Sequence, residues 1–113
     1  MVRTSILENV EYGEHNPVVK VLFETLSSKE LRIVFREGQI MKKHKTQFPI
    51  VVEVVEGQID FGVATQRYFL KKGDLIALES LVEHDLQAQA DSILRLSLNK
   101  ADDTNRVKEV LNL

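Results

Sequence analysis

Cysteine is absent from the 113 residues, which removes disulfides, thiolate metal sites and cysteine nucleophiles together. Any metal would have to rest on nitrogen or oxygen ligands. A basic excess is also lacking. With a net charge of -2 and a sequence pI ≈ 5.9 the chain carries no global positive field to hold a phosphate backbone, so nucleic acid is not an expected partner. No long apolar run opens the chain, because Glu8 and Glu11 interrupt Met1 to Gly13. Neither a signal peptide nor a membrane span reads there, and a cytoplasmic location is the expectation. The chemistry-bearing patterns missing are a Ser-His-Asp order, a glycine-rich phosphate loop and a helix-borne His-Glu pair. Nucleophilic catalysis therefore has no visible machinery.

What is present is a succession of short alternating segments. At 43% hydrophobic and 28% charged, the chain suits one globular domain, 1–113, with a single core. From about Val18 to Leu98 the apolar residues recur with period two between turn residues, the pattern of an all-β protein. Leu31, Ile33 and Phe35 share one face of a strand whose other face holds Arg32, Val34 and Arg36. Pro49 opens the most hydrophobic run, Ile50 to Val55, broken only by Glu53, so this strand should be central. Glu56-Gly57-Gln58 predicts a tight turn into Ile59, Phe61 and Val63, the returning strand of a hairpin. A turn at Lys72-Gly73-Asp74, a short strand over Leu75 to Leu78, and alternating segments at His84 to Ala90 and Leu94 to Leu98 complete the series. Beyond Asp102-Asp103-Thr104, which offer N-cap residues, Val107, Val110 and Leu111 fall at helical spacing, so a short helix is expected over about 103–112. So short a helix must dock its apolar stripe on something. The arm 1–17 is ambiguous, with His15 in an exposed loop.

Two segments pair glycine with histidine: Gly38, His44 and Gly57 in the first, Gly73 and His84 in the second. With the strand pattern, their order and spacing resemble the two motifs of a small single-domain cupin over roughly Val18 to Leu98. In the first motif Gly38 and His44 match, Thr46 stands at the second histidine position, Ile50 at the glutamate position, and Gly57 closes it. In the second, Gly73 and His84 match, while Glu79, Leu81 and Ala88 replace the proline, second glycine and asparagine. The resemblance implies an antiparallel β-barrel or jelly roll with a short C-terminal helix. It also implies a homodimer, and a divalent metal held inside the barrel by imidazoles and a carboxylate.

The residues at those positions weaken the metal centre. Threonine hydroxyl is a poor ligand and Ile50 contributes none, so the charge that offsets a buried dication has gone. Glu53 and Glu83 lie on the outward faces of their strands, and Gln47 would reach inward only through a bulge. A zinc, iron, manganese or nickel ion held weakly by His44 and His84 is one expectation. The other is that both imidazoles line the barrel without metal, hydrogen-bonded to each other, to Thr46 or to water. Lys42, Lys43 and Lys45 flank His44. They would either draw an anionic ligand to the mouth or guard a strand edge against pairing.

Three functions follow. The first, which the missing carboxylate favours, is a module that binds or senses a small, anionic molecule, with His44, Thr46 and His84 as polar anchors and Met41, Phe48, Ile50 and Phe61 lining the pocket. The second is a metal-dependent isomerase, dioxygenase or decarboxylase using His44 and His84. The third is a structural or partner-binding domain whose pocket is filled by Phe and Met side chains.

Overall fold

A computed structural model describes residues 1–112. Among the described residues nine strands and one helix follow in chain order: β1 (Val18–Glu24), β2 (Ser28–Phe35), β3 (Ile40–His44), β4 (Ile50–Glu56), β5 (Gln58–Val63), β6 (Gln66–Lys71), β7 (Leu75–Leu78), β8 (His84–Ala88), β9 (Ser92–Asn99) and α1 (Thr104–Val110). They form a five-stranded sheet of order β1-β2-β9-β4-β7 and a four-stranded sheet of order β3-β8-β5-β6. Every pairing is antiparallel. The architecture is a jelly roll: the two sheets face each other but do not close into a continuous barrel.

Alternation explains which side chains fill the space between the sheets. Leu31 pairs with Leu96, Leu96 with Val52 and Val52 with Ile76, a row of apolar residues crossing four strands on one face. Ile33, Phe35, Val54, Leu94 and Leu98 extend that face, and Ile59, Phe61, Leu86 and Ala88 meet it from the opposite sheet. Each such side chain contributes about 1.5–3 kcal/mol by leaving water. Glu53 points away from this core, as its place in the alternation requires, and accepts from Arg95, which also bridges to Glu30.

The expected hairpin at Gly57 is not one. β4 pairs with β7 and β9, whereas β5 pairs with β6 and β8, so the turn carries the chain from one sheet to the other. Its glycine is dictated twice over. The backbone there has φ +94, and a Cβ would run into Ser92 Oγ and the Asp91 carbonyl. The fully buried Ser92 hydroxyl lies against this crossing, accepting from the Gln58 N–H at 3.1 Å.

Strand β2 is buried on both faces, which alternation alone does not predict. Its outward Arg32, 3% exposed, donates to the carbonyls of Ile6, Glu8 and Asn9 and so pins the N-terminal arm over the sheet. At the other end, α1 begins at the N-cap Asp103, whose side chain accepts from the Asn105 N–H. It packs Val107 and Leu111, both 0% exposed, into the core cluster. No described helix is long and apolar enough to cross a membrane.

Candidate functional site

His44 and His84 meet because β3 and β8 are neighbours in register, with the two histidines directly opposite each other. Met41 and His44 are three residues apart and would face opposite ways on a regular strand. A register shift between them restores His44 to the inner face, beside Met41. The ring centroids lie 4.2 Å apart in an edge-on arrangement, and the Phe61 ring stacks on His84 at 5.8 Å. A fully buried aromatic wall thus fixes one imidazole and the bulge delivers the other.

Backbone contacts set the tautomer of both rings. Nδ1 of His44 lies 2.6 Å from the Lys42 carbonyl and Nδ1 of His84 lies 3.0 Å from the Val82 carbonyl. A carbonyl oxygen only accepts, so each Nδ1 carries the proton and each neutral ring keeps Nε2 as a bare acceptor. Burial, which disfavours the imidazolium, lowers the His44 pKa from 6.5 to about 4 against the opposing pull of the Lys42 carbonyl. Burial lowers His84 as well, and the Arg106 cation pushes in the same direction on both rings. Both are neutral at pH 7.

Arg106 is the residue that sequence reasoning missed. It reaches the same small cavity from α1, donating through Nε and Nη2 to the two carboxylate oxygens of Asp102 at 3.0 and 2.9 Å. Asp102, 5% exposed, also accepts from the Thr46 hydroxyl at 2.8 Å and from the Asp103 N–H. Burial alone would raise its pKa, but these donors outweigh it and hold the carboxyl below its ordinary value. An acid and a base four residues apart at a helix start was the available signal. That pattern usually marks a surface pair, and nothing local distinguishes this one.

The remaining expected site residues divide. Met41, Ile50 and Phe61 line the cavity with Ile33, Val52, Leu94 and Leu96. Thr46 does not: β3 ends at His44, so the two-residue rule for a shared face stops applying, and the hydroxyl turns to Asp102. Phe48 is half-buried in the following loop and also stands apart from the cavity, because the loop carries it past the inner face. Gln47 and Glu83 are exposed, as is His15. Lys42, Lys43 and Lys45 are exposed too, the first two on β3, an edge strand, where charge blunts pairing. The cavity has a volume of about 20 Å³, room for roughly one water molecule.

These residues do not fit the metal centre that the resemblance implies. Two imidazole nitrogens converge, but the nearby carboxylate is chelated by Arg106, whose positive charge opposes a dication. Among the described residues no group of three or more His, Asp or Glu side chains comes together that could hold a metal ion.

No family model matches the sequence, and no curated protein resembles it in sequence. Solved structures do share its shape. An RmlC-like cupin protein from Desulfovibrio desulfuricans has a TM-score of 0.80 at 19% identity, over 88% of this chain and 96% of that one. An RmlC-like cupin from Shewanella frigidimarina has a TM-score of 0.77 at 21% identity, over 91% and 95%. A conserved protein of unknown function from Streptococcus pyogenes has a TM-score of 0.76 at 15% identity, over 90% of each chain. The jelly roll with histidines on its inner face therefore has the fold of the small cupins. Identity at this level speaks for the fold alone.

Proposed function

We propose that this domain binds a small molecule between its sheets, with His44 and His84 as polar anchors beside Arg106 in a pocket that is apolar elsewhere. The observation that carries this reading is the pair of neutral imidazoles. Each has its Nδ1 proton committed to a backbone carbonyl, so each presents an unshared Nε2 lone pair beside the cavity. Such a pair recognises a ligand's hydroxyl or N–H donors, and the surrounding aliphatic side chains take its apolar part. Metal-dependent isomerase, dioxygenase or decarboxylase chemistry is the lesser reading, because the donor set stops at two neutral ligands.

Thermal-shift screening with small carboxylates, hydroxy acids and phosphosugars tests the reading, since a ligand that binds only the native state raises the melting temperature by mass action. A broad panel without a single shift would favour the partner-binding alternative. Elemental analysis of protein purified without chelator or affinity nickel tests the metal reading. A stoichiometric metal lost on His44→Ala would reverse the preference. The same proposal takes the domain to be a cytoplasmic homodimer, and the dimer is supported by Tyr68, Phe69 and Leu75 exposed on strands β6 and β7 at sheet edges. Sedimentation equilibrium tests the dimer, and a monomeric mass at high protein concentration would end that part.

A further inference from the structure

The polar end of the cavity is chemically asymmetric. His44 and His84 offer only acceptors, for their single ring protons are spent on the Lys42 and Val82 carbonyls. Arg106 offers only donors, and among the described residues Nε and Nη2 are engaged by Asp102 while Nη1 makes no hydrogen bond. Everything else around the space is aliphatic or aromatic, with Ile33, Val52, Leu94 and Leu96 forming the far wall. A complementary ligand carries a planar anion for the guanidinium fork, a hydroxyl donor next to it for an imidazole, and a short hydrocarbon tail.

The protein already contains an imitation of that anion. Asp102 occupies the fork of Arg106 and is held there by Thr46 and the Asp103 N–H. The space left over takes no more than about one water, so a ligand enters only if this end opens. The element covering this end is α1, seven residues long and marginal by itself, which holds Val107 and Leu111 in the core, so admitting a ligand means displacing it.

We propose that the cavity is a site for a short apolar 2-hydroxycarboxylate, whose carboxylate takes Arg106 from Asp102 and whose hydroxyl donates to an imidazole Nε2, with α1 moving outward to admit it. The proposal rests on the ligand-binding reading above and names its ligand class. In the ligand-free state the Asp102–Arg106 pair is then an internal competitor, and affinity is set by the difference between two carboxylates at one guanidinium.

Isothermal titration with 2-hydroxy-4-methylpentanoate, its amide and its deoxy analogue 4-methylpentanoate tests each part. The acid is expected to bind at least about tenfold tighter than either analogue, a difference of about 1.4 kcal/mol. Arg106→Gln should collapse the acid-to-amide ratio to about one, and Arg106→Lys, which keeps the charge without the fork, should recover part of it. Asp102→Asn retains an acceptor for Thr46 yet releases the guanidinium, so it should tighten the acid and leave the amide unchanged. The Val107 and Leu111 methyl resonances should shift on binding, and their native positions in the free variants show that α1 is folded. Equal affinity of acid and amide, an acid preference that survives Arg106→Gln, or weaker acid binding in Asp102→Asn would overturn the proposal while ligand binding itself stood. Binding of other panel members but not this acid would overturn the ligand class alone. Absence of binding by any compound would remove both readings.

Discussion

Acidification from pH 7 to pH 4.5 should destabilise this protein through its paired histidines before its carboxylates contribute. The unfolded chain takes up a proton at His44 near the ordinary value of 6.5, whereas the native chain does so only at about 4. Between those values the unfolded state binds more protons, so stability falls as pH drops through that window. A full shift of that size corresponds to about 3.5 kcal/mol at about 1.4 kcal/mol per unit. Solvent at the half-buried mouth screens the group and reduces the contribution to about 2 kcal/mol. His84, lowered for the same reason, adds to the loss in the same direction. For a domain of this size each kcal/mol moves the melting temperature by about 4 °C, so a fall of about 8 °C or more is expected across the window. Asp102 acts later. Its depressed pKa makes its contribution present above 3.8 and lost only as pH falls further. Urea midpoints measured by circular dichroism at half-unit steps from pH 7 to 4.5 check the sign and the size. The variant His44→Leu, similar in volume and unable to titrate, should lose most of the slope. A flat wild-type profile over this window, or an unchanged slope in the leucine variant, would refute the argument that burial keeps both rings neutral.

Three further substitutions probe separate parts of the structure, each by urea denaturation. Gly57→Ala should cost about 3 kcal/mol or more, because the left-handed backbone and the collision with Ser92 and the Asp91 carbonyl act together, whereas Gly38→Ala, at φ +89 in open space, should cost only about 1 kcal/mol. Equal losses would show that the close approach at the sheet crossing does not constrain the fold. Thr46→Val removes a donor from the buried Asp102 carboxylate and should cost about 1–3 kcal/mol. A neutral result would mean that Arg106 and the Asp103 N–H suffice. Phe61→Ala empties the wall behind His84 and should cost about 3–5 kcal/mol, with the His84 ring resonances shifting as the stacking partner is lost. A loss below 1 kcal/mol would mean that the surrounding side chains collapse into the space.

The strands were legible because the information that makes them is local. Period-two alternation at Leu31-Ile33-Phe35, Ile50-Val52-Val54 and Leu94-Leu96-Leu98 sorts side chains to the two faces of a pleated backbone wherever the strands end up. The C-terminal helix was equally readable from its spacing and its N-cap Asp103. Which strands pair is another matter: the turn at Gly57 looks like a hairpin in sequence, and only the packing of one sheet on the other decides that it is a crossing.

The site divides along the same line. That His44 and His84 belong together could be inferred from the spacing of two motifs, and the apolar lining from Met41, Ile50 and Phe61 follows from their places in the alternation. Thr46 falls in the pocket only if β3 continues regularly past His44. The strand instead shifts register before His44 and stops there, because cross-strand pairing with β8, not the chain's own period, sets where the bulge falls.

By itself the sequence determined the strand faces, the all-β class, the neutrality of any ligand set built from His44, Thr46 and Ile50, and the absence of thiol chemistry. Tertiary structure alone decided that α1 docks against β3 with Val107 and Leu111 buried. That docking turned an ordinary acid–base pair at a helix start into a buried carboxylate and a partly buried guanidinium beside two uncharged imidazoles. Periodicity reports which way a side chain faces, but the charge it meets there depends on which other element arrives, and that is settled only when the core closes.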